Sequence, residues 1–112
     1  MFDFQKLAVY QKARQMYKSV MQFLKDAKSI PQKLRDNLAR ASLSVMLNIA
    51  EGAGRFTKPD KRRFYTDSRA SAFEVVSCLE ACNDLDILPQ KDLNSFSYSY
   101  EEISKMLFKM IN

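Results

Sequence analysis

Three prolines divide the 112-residue chain into four segments, and each stands where a helix can begin. Pro31 follows Ser29, Pro59 follows Thr57, and Pro89 follows a leucine, which is a weaker cap. Proline is tolerated in the first turn of a helix, and a preceding Ser or Thr can cap that turn. Because the chain has only two glycines, few other turns are available. The sequence therefore predicts a few long helices rather than many short strands.

Apolar and small residues recur at alternating intervals of four and three residues within these segments. This spacing predicts helices at about residues 4–27, 31–53, 58–86 and 90–111, and it is typical of the seam between antiparallel helices. Short connections make neighbouring helices run up and down. The predicted fold class is all-α, a single antiparallel up-and-down four-helix bundle domain spanning residues 1–112.

Three positions of the second segment carry specific expectations. Asn48 falls on the apolar stripe, where a single polar side chain commonly fixes the register of a bundle. Gly52 and Gly54 close the segment, and Gly54 is the better candidate for a left-handed C-cap.

The middle of the third segment is apolar or small on more than one face. Only one stripe of a helix faces the core of a four-helix bundle, so a second apolar face containing Phe73 and Val76 predicts a subunit interface. The alternative is a monomer with an unusually apolar surface. We expect a homo-oligomer.

The residues needed for catalysis or metal binding are scarce. The chain contains no histidine, which removes the commonest general base and the commonest metal ligand. Cys78 and Cys82 lie one helical turn apart in an apolar stretch, which favours small core residues over ligands. Glu51 and Glu74 are expected to pair with arginines such as Arg40 or Arg69. The sequence predicts no metal, no cofactor and no enzyme.

Charge is distributed unevenly along the chain. Residues 1–63 hold 14 Lys and Arg against 5 Asp and Glu, whereas residues 64–112 hold 4 against 8. The densest basic cluster either forms a solvated turn or meets a polyanion such as RNA. Its members, which we call the basic cluster, are Arg55, Lys58, Lys61, Arg62 and Arg63. No signal peptide or membrane-spanning run is recognisable, so we expect a cytoplasmic protein without membrane contact.

Residues 39–55, which include Asn-Ile-Ala-Glu-Gly at 48–52, resemble the signature of the 23S rRNA intervening-sequence proteins. Arg-Phe at 63–64 and Ala-Ser-Ala-Phe-Glu at 70–74 are similar to further elements of that family, as is the opening stretch 4–13. The resemblance covers nearly the whole chain. In this sequence Ala70 replaces the usual Gly and Ala39 replaces an expected Arg, which affects helix packing and charge without challenging the fold.

The resemblance implies a bacterial four-helix bundle that assembles as a ring-like homopentamer and has no established molecular role. Related bundles are accessory proteins of diversity-generating retroelements, which contact reverse transcriptase and nucleic acid. The leading hypothesis is therefore an oligomeric RNA-binding bundle, and the alternative is a protein–protein adaptor such as a reverse-transcriptase accessory subunit. The family motif falls on Asn48, Glu51, Gly52, Arg55, Arg63, Ser71 and Glu74, and we expect most of these residues to be structural.

Overall fold

A computed structural model describes all 112 residues as four α-helices preceded by one short turn of 3-10 helix, Asp3–Lys6. The α-helices are α1 (Ala8–Asp26), α2 (Gln32–Ala53), α3 (Lys58–Asp84) and α4 (Gln90–Ile111). Loops of four or five residues join them, and they pack as an up-and-down bundle. The predicted all-α fold is confirmed. None of the helices combines the length and hydropathy required to span a lipid bilayer.

The core runs along the axis of the bundle, which measures 44 × 24 × 21 Å. Every helix contributes one buried stripe, as the alternating apolar spacing predicts. The largest fully buried side chains are Val20, Leu38, Val45, Ile49, Val75, Leu79, Tyr100, Ile103 and Leu107. The short loops make neighbouring helices run in opposite directions around this core.

The first helix starts later than the sequence predicts. α1 begins at Ala8 because Leu7 adopts an extended conformation (φ −70°, ψ 128°). Asp3–Lys6 form a separate turn of 3-10 helix, in which the Phe2 amide donates a hydrogen bond of 2.7 Å to the side-chain oxygen of Gln5. The ring of Phe4 packs edge-on against Tyr10 at 4.9 Å between centroids, which holds this turn against α1.

The third helix ends at Asp84, two residues before the predicted end. Asp86 has a positive φ of 60°, which breaks the helix. The amides of Ile87 and Leu88 both donate to the carbonyl of Cys82, at 2.9 and 3.3 Å. These bonds satisfy a carbonyl that the helix itself leaves free.

Two of the predicted caps are wrong and one is confirmed. Pro31 occupies the N-cap position of α2 itself, without a side-chain cap, so Ser29 plays no such role. Thr57 caps α3 as expected, with its hydroxyl accepting from the Asp60 amide at 3.3 Å. Gly54 is not left-handed, because its φ is −86°. The last turn of α2 ends instead with a hydrogen bond from the Gly54 amide to the main-chain carbonyl of Glu51, three residues earlier, at 3.2 Å.

Candidate functional site

Four helix ends meet at one end of the bundle: the N-termini of α1 and α3 and the C-termini of α2 and α4. The turn between α2 and α3 lies here, so the up-and-down order of the helices brings the whole basic cluster to this end. Two of its five members bond to main-chain carbonyls at the ends of neighbouring helices, and the other three lie on the surface.

Lys61 and Arg62 are engaged with helix C-termini. The Lys61 amine donates to the carbonyl of Ala53 at 2.9 Å and lies 3.5 Å from that of Gly52, in the last turn of α2. The Arg62 Nε donates to the carbonyl of Ile111 at the end of α4, at 3.0 Å. These carbonyls lack partners within their own helices and carry the negative end of the helix dipole. Both cations therefore stabilise the bundle, which offsets their unfavourable position at the N-terminus of α3.

Arg55 and Arg63 both contact the same aromatic ring. Each guanidinium carbon is 4.5 Å from the centroid of Phe64, in the geometry of a cation–π contact. Their nearest carboxylates, Glu51 and Asp60, are 3.8 and 3.7 Å away and half-exposed. Exposed ion pairs of this length contribute little. Both arginines are thus held in place by an aromatic contact while their donors remain open to solvent.

Lys58 and Phe56 complete the exposed surface. Lys58 is exposed and makes no ion pair or side-chain hydrogen bond. The side chain of Phe56 is fully exposed at the turn between Arg55 and Thr57. Sequence reasoning assigned no role to Phe56, although a phenylalanine inside a run of cations is a visible signal for a contact outside the core.

The motif residues of α2 and α3 form a polar link between the two helices. The Asn48 amide donates to both oxygens of Ser44, at 3.0 Å to the carbonyl and 2.9 Å to the hydroxyl. The Ser44 hydroxyl lies 3.0 Å from that of Ser71 on α3. Because these hydrogen bonds are half-buried and connect α2 to α3, they fit a structural role at the helix contact.

One of the two glutamates pairs as predicted. Glu74 contacts Arg40 at 3.3 Å between α2 and α3, and the arginine side chain is exposed. Glu51 pairs with Arg55, which lies just beyond the end of α2, and reaches neither Arg40 nor Arg69. Glu51 lines an open pocket together with Asp60, but both carboxylates are half-exposed and each lies beside an arginine rather than beside the other acid.

Arg69 occupies a position that the sequence did not suggest. Its guanidinium carbon lies 4.9 Å from the ring centroid of Phe73 and 5.3 Å from that of Phe108 on α4. Its Nε is buried and has no hydrogen-bond partner. Phe73 is 55% exposed, and it lines a groove between α3 and α4 together with Val76.

The two cysteines lie in the core as free thiols. Burial raises the pKa of the Cys82 thiol from 9.0 to about 11, with a smaller contribution from Cys78. Burial also raises the pKa of Cys78, and Glu74 adds to that effect. A thiol that stays protonated is a poor nucleophile and a poor ligand. No group of three or more side chains is arranged to hold a metal ion.

Fold and surface together define a small helical bundle whose basic side chains converge on one end. A family model for the 23S rRNA-intervening sequence protein matches residues 5–109, and the chain belongs to that family. A solved structure with the same fold is a protein with unknown function from the S23 ribosomal protein family of Bacteroides thetaiotaomicron VPI-5482. Its TM-score is 0.86 at 18% identity, over 94% of this chain and 99% of that one. Neither comparison indicates an enzymatic activity. A search of curated proteins gives no match.

Proposed function

We propose that this protein is a non-enzymatic module that binds RNA through the basic end of the bundle. The observation that carries the proposal is the exposure of Arg55, Lys58 and Arg63 around the loop between α2 and α3, beside a fully exposed Phe56. Phosphates supply most of the affinity in such complexes, and their contacts read no sequence.

The exposed aromatic ring distinguishes RNA from a simple anion as the ligand. Unpaired bases of single-stranded RNA stack on aromatic side chains, whereas an inorganic anion gains nothing from them. Phe56 therefore fits a single strand whose phosphates meet the neighbouring cations. The family description refers to the intervening sequence of 23S rRNA, which supports the same ligand class.

The test is a triple variant that removes three positive charges, Arg55→Gln, Lys58→Gln and Arg63→Gln. It leaves Lys61 and Arg62 in place at the C-termini of α2 and α4. Binding of a fluorescent single-stranded RNA is measured by anisotropy over a range of salt concentrations. Each lost phosphate contact on a single strand lowers the slope of log affinity against log salt by about 0.7. We expect the triple variant to lose about 2 from the slope.

The matched control removes the same charge elsewhere, through Lys18→Gln, Lys25→Gln and Lys91→Gln on exposed positions of α1 and α4. Retained binding in the control separates a local site from a general effect of net charge. Equal losses in the two triple variants would refute the basic end as the site. A wild type that binds no RNA would favour the adaptor function, including partnership with a reverse transcriptase.

We also propose that the chain self-associates through the groove that contains the exposed Phe73 and the half-buried Val76, with a homopentamer as the state implied by family resemblance. Exposed apolar side chains in a continuous groove are typical of subunit contacts. Light scattering on the eluting protein measures the mass directly. A mass of 13.0 kDa, that of one chain, would contradict self-association.

A further inference from the structure

Arg69 is a partly buried cation without an anion. It forms no ion pair and no hydrogen bond, and its Nε is shielded from water. Its charge is compensated only by the faces of Phe73 and Phe108. A guanidinium carries five N–H donors. The Nε–H of Arg69 is buried, whereas its Nη atoms are not buried and make no hydrogen bond within the chain. The Nη–H donors are therefore free for an acceptor that comes from outside the chain.

The surroundings of Arg69 are cationic and partly aromatic. A shallow groove of roughly 360 Å³ is formed by Arg69 of α3 with Lys105, Phe108 and Lys109 of α4, and no carboxylate lines it. Lys105 has an exposed partner one turn away, Glu101 at 3.3 Å, and such pairs are weak. Lys109 makes no ion pair.

The groove continues the basic end along α3. Arg69 lies seven residues after Arg62, which is two helical turns, or about 10 Å, on the same face of the helix. A strand that meets the basic end can therefore reach the groove without leaving the surface of α3 and α4.

We propose that this groove, which we call the Arg69 groove, binds a phosphate of single-stranded nucleic acid, with the adjacent base stacked on Phe108. The proposal rests on the proposed function and extends its footprint. The planar fork of Arg69 matches two phosphate oxygens, Lys105 and Lys109 add charge, and Phe108 is 53% exposed. A carboxylate from a second copy would use the cations but not the open ring, so the structure favours a nucleotide.

The test compares Arg69→Gln, Arg69→Lys and Phe108→Leu with the control Lys91→Gln, by anisotropy with the same fluorescent RNA. Circular dichroism first establishes that each variant keeps its helices. Arg69→Gln is expected to weaken binding about tenfold and to reduce the salt slope by about 0.7, because a bidentate contact to phosphate is lost. Arg69→Lys should keep the slope but recover only part of the affinity.

Phe108→Leu should leave the salt slope unchanged. With an RNA that carries 2-aminopurine as a fluorescent base, it should reduce the stacking-dependent quenching that the wild type produces and leave the part that comes from Phe56. Quenching that is identical in wild type and Phe108→Leu would overturn the stacking part of the proposal.

The outcomes separate the two proposals. If the basic-end triple variant loses RNA binding while Arg69→Gln matches the control, the Arg69 groove is refuted and the proposed function stands. If the wild type shows no salt-dependent binding, both are refuted. If Arg69→Gln changes the mass measured by light scattering and leaves RNA binding intact, the groove is a subunit contact, which also overturns the proposal.

Discussion

Gly52 is the residue at which α2 passes most closely over the aromatic side chains of α3. A Cβ atom added there would lie 2.7 Å from Cε1 of Tyr65 and 3.0 Å from the Cβ of Phe64. The φ of Gly52 is not positive, so its backbone conformation does not require glycine. The requirement is for space, and it explains physically why a motif position next to the basic end carries no side chain.

Replacing Gly52 by alanine should therefore destabilise the bundle by about 1–3 kcal/mol, the usual result of overpacking a filled site. Guanidinium chloride unfolding followed by circular dichroism measures the loss. Gly54→Ala is the matched control, because its Cβ would meet only main-chain oxygens, at 3.6 and 3.8 Å. With its φ of −86°, Gly54→Ala should be neutral or slightly stabilising. Equal unfolding midpoints for the two variants would contradict this account.

At the scale of the helices, the N-terminus of α3 and the C-termini of its neighbours stabilise each other. Positive charge in the first turn of a helix is normally unfavourable. Here the first turns of α3 supply Lys61 to the end of α2 and Arg62 to the end of α4. The antiparallel order of the bundle makes this exchange possible, since each helix end lies beside ends of the opposite polarity.

Lys61→Met should consequently lower the free energy of unfolding by about 1 kcal/mol, since a charged hydrogen bond to a partly buried carbonyl is lost. Lys58→Met is the control with the same change in charge and nearly the same position, because Lys58 is exposed and unpaired. Urea unfolding of the two variants measures the difference. The interpretation fails if Lys58→Met is as destabilising as Lys61→Met.

The number, type and order of the helices could be predicted because prolines and apolar spacing are local signals. The start of α1 and the end of α3 could not be predicted, because they depend on contacts that form only in the folded chain. For α3, one such contact is the hydrogen bond from the Leu88 amide to the Cys82 carbonyl. The candidate site shows the same division. The basic cluster is visible in the sequence as a run of residues. Which of its cations bond to helix ends and which stay free is not visible there, because Arg62, for example, bonds to the carbonyl of Ile111 at the far end of the chain.

The Arg69 groove joins residues of two helices, so no local pattern reveals it. Arg69 lies 18 residues before Ile87, in the α3–α4 turn, and Lys105 lies 18 residues after it. In an antiparallel pair, residues at equal distances from the turn are neighbours. Combining the predicted turn with the charges could therefore have suggested this pairing before the structure was known.

At the scale of the whole molecule, the core contains thiol and phenol side chains that the folded state favours in their protonated form. Cys82 is fully buried, and the hydroxyl of Tyr100 is buried without a partner. Burial raises the pKa of Tyr100 and also that of Tyr65, which packs under Gly52. These groups lie in helices α3 and α4, so ionisation of any of them places a charge in the common core rather than at a surface.

The bundle should therefore lose stability at alkaline pH, and Cys82 gives the clearest window. Folding raises the pKa of its thiol from 9.0 to about 11, so the folded state favours the neutral form. That contribution is fully present below pH 9 and declines as the pH rises through 11, because the unfolded chain then loses the proton more readily. Unfolding free energies measured from pH 8 to 11 should fall more steeply for the wild type than for Cys82→Ala. Parallel curves would mean that the Cys82 thiol is not what the alkaline transition titrates, leaving Cys78 and the two tyrosines as its candidate sources.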